Sequence, residues 1–581
     1  MKGRKPFGSL LSNQPFSLSA TTLLILLSSF GQAYASLKTV PVPEPANLAE
    51  FVSDKAAAIR LGKALFWDMQ VGSDGIQACA SCHFHAGADS RAKNQLSPGM
   101  NNGGGGAPDK TFNLTASGGG GANYTLTAAD FPFHKLSNPN DAGSTVLFDT
   151  DDSVSSQSVF KRNFVKLNAL SAVDVCTHQI DPVFIVNGTN VRGVQVRNSP
   201  SVINAVFNFR NFWDGRANND FNGVNSLGKT DPNAHIYKVV QGNIQQVAIA
   251  IPSASLASQA MEPPIDTEMS CANRSFATIG KKLLKKGIVP LGQQAVHPND
   301  SVLGGLVKRK GRGLRTSYKK MVAQAFQPEY WRSPKSVVIG KEKFSLMSAN
   351  FPLFFGLAIQ LYQATLVSDE TPFDQFADGN STALSPQQQL GLEIFQTSGN
   401  CARCHSGLLL TEAPLGSSES PNVGFINIGV RPDAEDGGNI LEPQQAKFKT
   451  TGLRNVELTG PYFHNGGYAT LRQVMDFYVR GGDFSGPNKS PNMLSLRLDV
   501  EQENAVIAFL LALTDERVRW QKAPFDHPQL FIPDGQQGDQ LSVIDDGSGK
   551  ARDNILILPA IGANGAVQPL QPFLGLSPFQ P

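Results

Sequence analysis

The sequence predicts a mainly α chain of two repeated helical units carrying long loop insertions, and three observations predict it. The pattern C-x-x-C-H occurs twice, as Cys79-Ala80-Ser81-Cys82-His83 and Cys401-Ala402-Arg403-Cys404-His405. Each copy follows a helix-patterned stretch with one hexad, L-G-x-x-[LI]-F, at residues 61–66 and 390–395. Cys79 and Cys401 stand 322 positions apart, far more than one small helical unit spans, so insertions fill the interval.

The chain has 581 residues, on the length prior enough for roughly three to four domain-sized units. Hydrophobic residues make up 41% and charged residues 17%, which supplies a folded interior and excludes wholesale disorder. At the N-terminus Lys2, Arg4 and Lys5 precede the apolar run 22–27 and Ala33-Tyr34-Ala35. That order is the pattern of a secretory signal cleaved after Ala35, so residues 1–35 are expected to be removed and the protein to work in the periplasm. The run is too short to span a bilayer, and no later stretch approaches the roughly 20 apolar residues required. Without the three leader charges the count is 47 basic against 48 acidic residues; this balance offers no overall field for phosphate backbones, and nucleic acid is not an expected partner.

At this composition a chance C-x-x-C-H occurs in about one such chain in a thousand, and two copies far more rarely. The pattern is the attachment signature of c-type haem. Two thiols one helical turn apart reach the two vinyl groups of one porphyrin, and the adjacent histidine places an imidazole on the iron. Cys79, Cys82 and His83 would hold one haem, and Cys401, Cys404 and His405 the other. A zinc site would need four clustered ligands, and a thioredoxin-type pair has no use for the histidine in both copies. Cys176 and Cys271 remain; in an oxidising compartment they form either a disulfide or two separate buried thiols.

Along the chain, residues 56–66 have helical spacing, with Leu61 and Leu65 four apart. Ser385 reads as an N-cap and Pro386 as the first residue of a helix through Phe395. A helix over 500–513 would close the second unit with Val506, Phe509, Leu510 and Leu513 facing inward. Glycine runs at 103–106 and 118–121 mark loops, and the lysine-rich stretch 281–286 reads as a solvated helix face. The expected division is a unit at 36–380, a unit at 381–520, and a tail at 521–581 that wraps the surface or is partly ordered.

Further segments carry a resemblance. Arg197-Asn198-Ser199-Pro200, Phe212-Trp213-Asp214-Gly215-Arg216-Ala217, Gln259-Ala260, Glu268-Met269, Leu453-Arg454-Asn455 and Pro461-Tyr462-Phe463-His464-Asn465-Gly466 follow one another over about residues 50–515. With the two haem motifs, they resemble the bacterial di-haem cytochrome c peroxidase family, which includes the methylamine-utilisation protein MauG. The resemblance implies two cytochrome c-like haem domains, the peroxide-reacting haem on His83 and the electron-relaying haem on His405. It implies that Trp213 lies between them, and that Glu268, with Gln259 upstream, is the distal acid–base group. Residues 218–255 are inserted where short family members run on directly.

At the relay haem the resemblance points to Tyr478 as the second axial ligand, with Met475 and Met493 as rivals; a thioether raises haem potential, whereas a phenolate favours oxidised states. A removable cap on the peroxide-site iron would come from His85, His134 or His178. A calcium between the units is implied through Asn198, Thr459 and Pro461, oxygen donors that suit the ion; a plain interdomain turn is the alternative. The expected activity is reduction of hydrogen peroxide with electrons from a small donor such as a cytochrome c or cupredoxin, with room for a homodimer. MauG-like oxidation of a protein or organic substrate, and pure electron transfer, are the alternatives.

Overall fold

The computed structural model describes residues 35–100, 108–435, 437–441 and 445–581. All of the expected signal but Ala35, and the glycine run 103–106, lie outside them. Six helices position the site: α1 (Lys55–Trp67), α2 (Tyr318–Ala325), α3 (Phe351–Gln363), α4 (Pro386–Gln396), α5 (Leu471–Val479) and α6 (Val500–Leu511).

The start signals act as the sequence suggests. The Asp54 carboxylate accepts the Ala57 N–H at 3.0 Å and opens α1. Ser385 and Gln388 close a capping box on α4, with Pro386 in its first turn, and Asp499 and Gln502 do the same on α6.

The hexad glycines explain how the helices pair. A Cβ on Gly62 would sit 1.9 Å from the Ala358 carbonyl oxygen of α3, and one on Gly391 would sit 1.9 Å from the Ala505 carbonyl oxygen of α6. α1 crosses α3, and α4 crosses α6, at a separation that only glycine permits. Each unit is therefore closed by its own helix pair. All thirteen residues of α3 are buried, so its sequence is apolar all round and shows no amphipathic period.

A second repeat follows each haem motif. Asn204 and Asn455 are left-handed (φ 59° and 63°), as are Phe212 and Phe463 (φ 62° and 68°) and Gly215 and Gly466 (φ 73° and 62°). Matching bridges, Asn211 to Ala217 and Tyr462 to Tyr468, close the two turns. Trp213 and His464 thus occupy equivalent positions in the two units.

Around these cores the described residues form eight two-stranded antiparallel pairs and much irregular chain; helices dominate the cores rather than the insertions. The lysine stretch 281–286 is not uniformly solvated. Lys282 is buried and donates to the carbonyls of Gly72 and Ala172 at 2.8 and 2.9 Å. The C-terminal segment also differs from a surface wrap. Strand Leu530–Gln536 pairs with Asp553–Leu558, and Leu530 and Ile532 are fully buried in the core that contains Leu61 and Leu65. Asp526 joins Asp300 on the fully buried Lys63 ammonium of α1, at 3.3 and 2.9 Å.

Cys176 and Cys271 form a disulfide across 95 positions, a closure worth ~4.7 kcal/mol in the chain-entropy account. It fastens strand Val175–His178 to the chain three residues after Glu268.

Candidate functional site

The second unit holds a cleft lined by Cys401, Cys404 and His405, with apolar walls from α4, α5 and α6. The His405 Nδ1 lies 3.0 Å from the Leu410 carbonyl oxygen. That carbonyl can only accept, so Nδ1 carries the proton and Nε2 keeps its lone pair. Burial holds the imidazole neutral by lowering its pKa. In the first unit His83 Nδ1 lies 2.8 Å from the Gly87 carbonyl oxygen, and burial again lowers the imidazole. This orienting hydrogen bond is the one a metal-ligating histidine needs.

The four motif cysteines are free, with no disulfide between them. Burial pushes the thiols of Cys79, Cys82 and Cys401 up to about 12 and raises Cys404 as well. Among the described residues no group of three or more His, Cys, Asp or Glu converges as a metal cluster, so neither motif brings together the four ligands a structural zinc needs. An apolar cleft, paired thiols and a preset Nε2 fit covalently bound haem.

Glu268 is half-buried, yet its Oε2 is buried and without a hydrogen-bond partner among the described residues. Burial, then the nearby Asp266 carboxylate, pushes its carboxyl up to about 7. Its charge acts on the Cys82 thiol, so it stands within electrostatic reach of the first haem motif. Gln259 ends the short helix Ser255–Gln259. Glu262 follows it and accepts Arg216 Nε at 2.6 Å, while Arg216 also pairs with Asp214 at 2.8 Å and stacks 3.8 Å over Phe212. The turn carrying Trp213 is thereby tied to the Gln259–Glu268 segment.

Trp213 lines both the second-unit cleft and a cavity between the units. Its Nε1 donates to the Asn198 carbonyl at 2.7 Å, and its carbonyl accepts the Lys449 N–H at 2.9 Å. Asn198, Thr459 and Pro461 line the same interdomain cavity. The Asn198 amide donates to the Pro461 carbonyl at 2.6 Å, so the three expected calcium donors meet but two of them already satisfy each other.

Tyr478, Met475 and Met493 all line the second-unit cleft with His405. Burial, then the adjacent Cys401 and Cys404, raises the Tyr478 phenol above its ordinary value. Of the three candidate caps, two hold partners of their own and one is exposed. His85 Nδ1 is 3.1 Å from the Leu458 carbonyl, His134 pairs with Asp149 at 2.8 Å, and His178 sits exposed on a strand.

Further side chains stand beside the site, among them Lys449 and His527, which no motif marks. Lys449 is buried, its ammonium 3.2 Å from Asn211 Oδ1, and burial lowers its pKa to about 8. His464 stacks on Phe448 at 3.6 Å. A cavity beside His83 is lined by Trp67, Tyr362 and His527; His527 lies 4.6 Å from Trp67 in a parallel stack, and Trp67 Nε1 donates to the Tyr362 hydroxyl at 2.9 Å.

Residues 56–382 match the family model described as di-haem cytochrome c peroxidase. Among curated proteins, the cytochrome-c peroxidase IdrP1 of Pseudomonas sp. (strain SCT) is 33% identical over 183 residues, 27% of this chain and 48% of that one. The methylamine utilization protein MauG of Methylorubrum extorquens is 30% identical over 178 residues, covering 30% of this chain and 46% of its own length. The cytochrome c peroxidase Ccp of Escherichia coli (strain K12) is 27% identical over 290 residues, 49% of this chain and 42% of that one. The chain spans about half the length of the curated relatives it matches. Among solved structures, a MauG-like protein associated with microbial copper homeostasis aligns over 84% of this chain and 97% of its own, at 18% identity and a TM-score of 0.44.

Proposed function

Because the chain belongs to the di-haem cytochrome c peroxidase family, we propose that it reduces hydrogen peroxide to water with two electrons and two protons. The electrons come from a small protein donor. One unit, 36–380, holds the peroxide site; the other, 381–520, relays electrons; and 521–581 braces the first. The work is placed in the periplasm, in keeping with the signal-like N-terminus and the Cys176–Cys271 disulfide.

When bound, the haems supply the iron that accepts peroxide at the His83 site and the electron store at the His405 site. The chain supplies the rest. His83 and His405 present Nε2 while their Nδ1–H groups hold the rings in place. Glu268 in its carboxylate form would take a proton from one oxygen of peroxide and return it to the other as the O–O bond breaks. The buried, unpartnered Glu268 Oε2 within electrostatic reach of the first haem motif carries the proposal, and burial raises its carboxyl toward neutral pH, where both forms are available. Gln259 orients peroxide from the same segment. Trp213 carries electrons between the units. Calcium at Asn198, Thr459 and Pro461 would require the Asn198 amide to turn its oxygen inward.

The test is Glu268→Gln in the haem-loaded protein. The account expects peroxide turnover to fall by about 10² or more; unchanged turnover refutes the acid–base role.

Tyr478 favours a second reading, MauG-like oxidation of a protein or organic substrate, since a phenol beside His405 would stabilise oxidised iron. Replacing Tyr478 by Met separates the two: a large rise in the potential of the His405 haem supports phenolate ligation, and no shift refutes it.

A further inference from the structure

The near-neutral total hides a strong asymmetry. Residues 274–328 contain twelve Lys and Arg against a single acid, Asp300, a net of +11; the whole chain is +2, so all remaining residues together carry −9. Arg274 and Lys282 are buried against Asp174, and Lys281 pairs with Glu342. The rest of the excess is concentrated at 308–320, where seven basic residues stand with no acid.

The fold presents this segment outward. Val307 and Leu314 bridge as a hairpin whose loop carries Arg309, Lys310 and Arg312; Arg315 follows it, and Lys319 and Lys320 occupy the first turn of α2. All six are exposed, and none makes an ion pair among the described residues. Stability does not account for the arrangement. Cations in the first turn oppose the helix dipole at ~0.3–1 kcal/mol each, and six neighbouring like charges repel. Leu303, Leu314 and Tyr318 anchor the segment in the first unit's core, where α2 packs beside α1.

We propose that this face docks a partner protein through an acidic surface. Charge complementarity identifies the occupant. Six exposed cations without ion pairs, on a chain whose residues outside 274–328 carry a net of −9, attract an acidic protein and orient it, because the rest of the surface repels it. Three of the six are arginines, whose planar forks bind carboxylates bidentately. Among the described residues no large exposed hydrophobic side chain lies between Ile265 and Val338, so the face has no anchor for a lipid interface. The partner therefore meets the peroxide-site unit, a location separate from the His405 cleft.

The experiment measures binding of the haem-loaded protein to a plant-type ferredoxin as the acidic probe, with a basic cytochrome c as its counterpart. The quadruple variant R309E/K310E/R312E/K319E is compared with K110E/K135E/K341E/K343E, which makes the same charge change at exposed lysines elsewhere. The proposal expects ferredoxin binding that weakens with ionic strength, weakens about tenfold or more in the first variant, and stays near wild type in the second. It is overturned if ferredoxin does not bind, if both variants weaken it equally, or if the first variant abolishes binding to anionic vesicles or self-association instead. The ionic-strength series on the wild type keeps the proposal testable should the first variant misfold. Peroxide reduction with hydroquinone, a neutral donor, is expected to be the same in wild type and variant; its absence in both would count against the peroxidase reading and not against the docking face.

Discussion

Trp213 and His464 occupy the same position in two copies of one turn, and their rings meet across the unit interface with centroids 6.2 Å apart at 69°. The repeat in φ at Asn204 and Asn455, Phe212 and Phe463, and Gly215 and Gly466 brings them there. An indole that lines the second-unit cleft and is hydrogen-bonded at both Nε1 and carbonyl is held in place where the two units meet. Trp213→Phe is expected to leave the first encounter with peroxide intact and to slow electron transfer between the haems by about tenfold, ~1.4 kcal/mol of barrier. Stopped-flow spectra of the half-reduced protein resolve the two steps; an equal rate of haem-to-haem transfer would exclude the indole as the route.

The crossing glycines predict unit-specific damage. Gly62→Ala and Gly391→Ala each force a Cβ against a carbonyl oxygen, and overpacking of this kind costs about 1–3 kcal/mol. Each variant should melt lower and lose haem mainly from its own unit. Haem content per chain and thermal melting check this, and equal loss from both units would contradict it.

Lys63 predicts that the C-terminal segment is structural. Lys63→Met leaves Asp300 and Asp526 buried without their cation, a break that costs about 3–5 kcal/mol. Limited proteolysis should then release the chain beyond 520 much faster than in wild type. Unaltered protection would show that the strap is held by its apolar residues alone.

Asp152 predicts a pH effect on stability. It is buried, accepts the Asn113 N–H at 3.2 Å, and is pushed up to about 8, first by burial and then by Asp151 and Asp109. Its folded pKa lies above the unfolded value near 4, so the folded state binds the proton more tightly. The stability it contributes is full below about pH 4 and is lost as pH rises through 8. Asp152→Asn should therefore gain on wild type in melting temperature between pH 4 and 9; parallel curves would contradict the assignment.

The haem motifs, the hexads and the caps at Asp54, Ser385 and Asp499 were legible because each is local: spacing, periodicity and capping operate within a few residues. α3 was not, since a helix buried all round has lost the polar face that marks a helix. The Trp213–His464 pairing was hidden because the two turns share backbone conformation more than residue identity. Lys449 and His527 reach the site only through tertiary packing, and His527 comes from a segment whose pattern suggested a surface wrap. The basic face escaped the net-charge argument because a total of +2 averages over regions of opposite sign.

The most direct test is a peroxide titration of the one-electron-reduced, haem-loaded protein followed by optical and EPR spectroscopy. The account predicts two haems per chain, one of them ferric high-spin and consumed by a single equivalent of peroxide, with that reaction accelerating through pH 7 as Glu268 ionises. Two low-spin haems inert to peroxide, or a rate independent of pH in wild type, would contradict it.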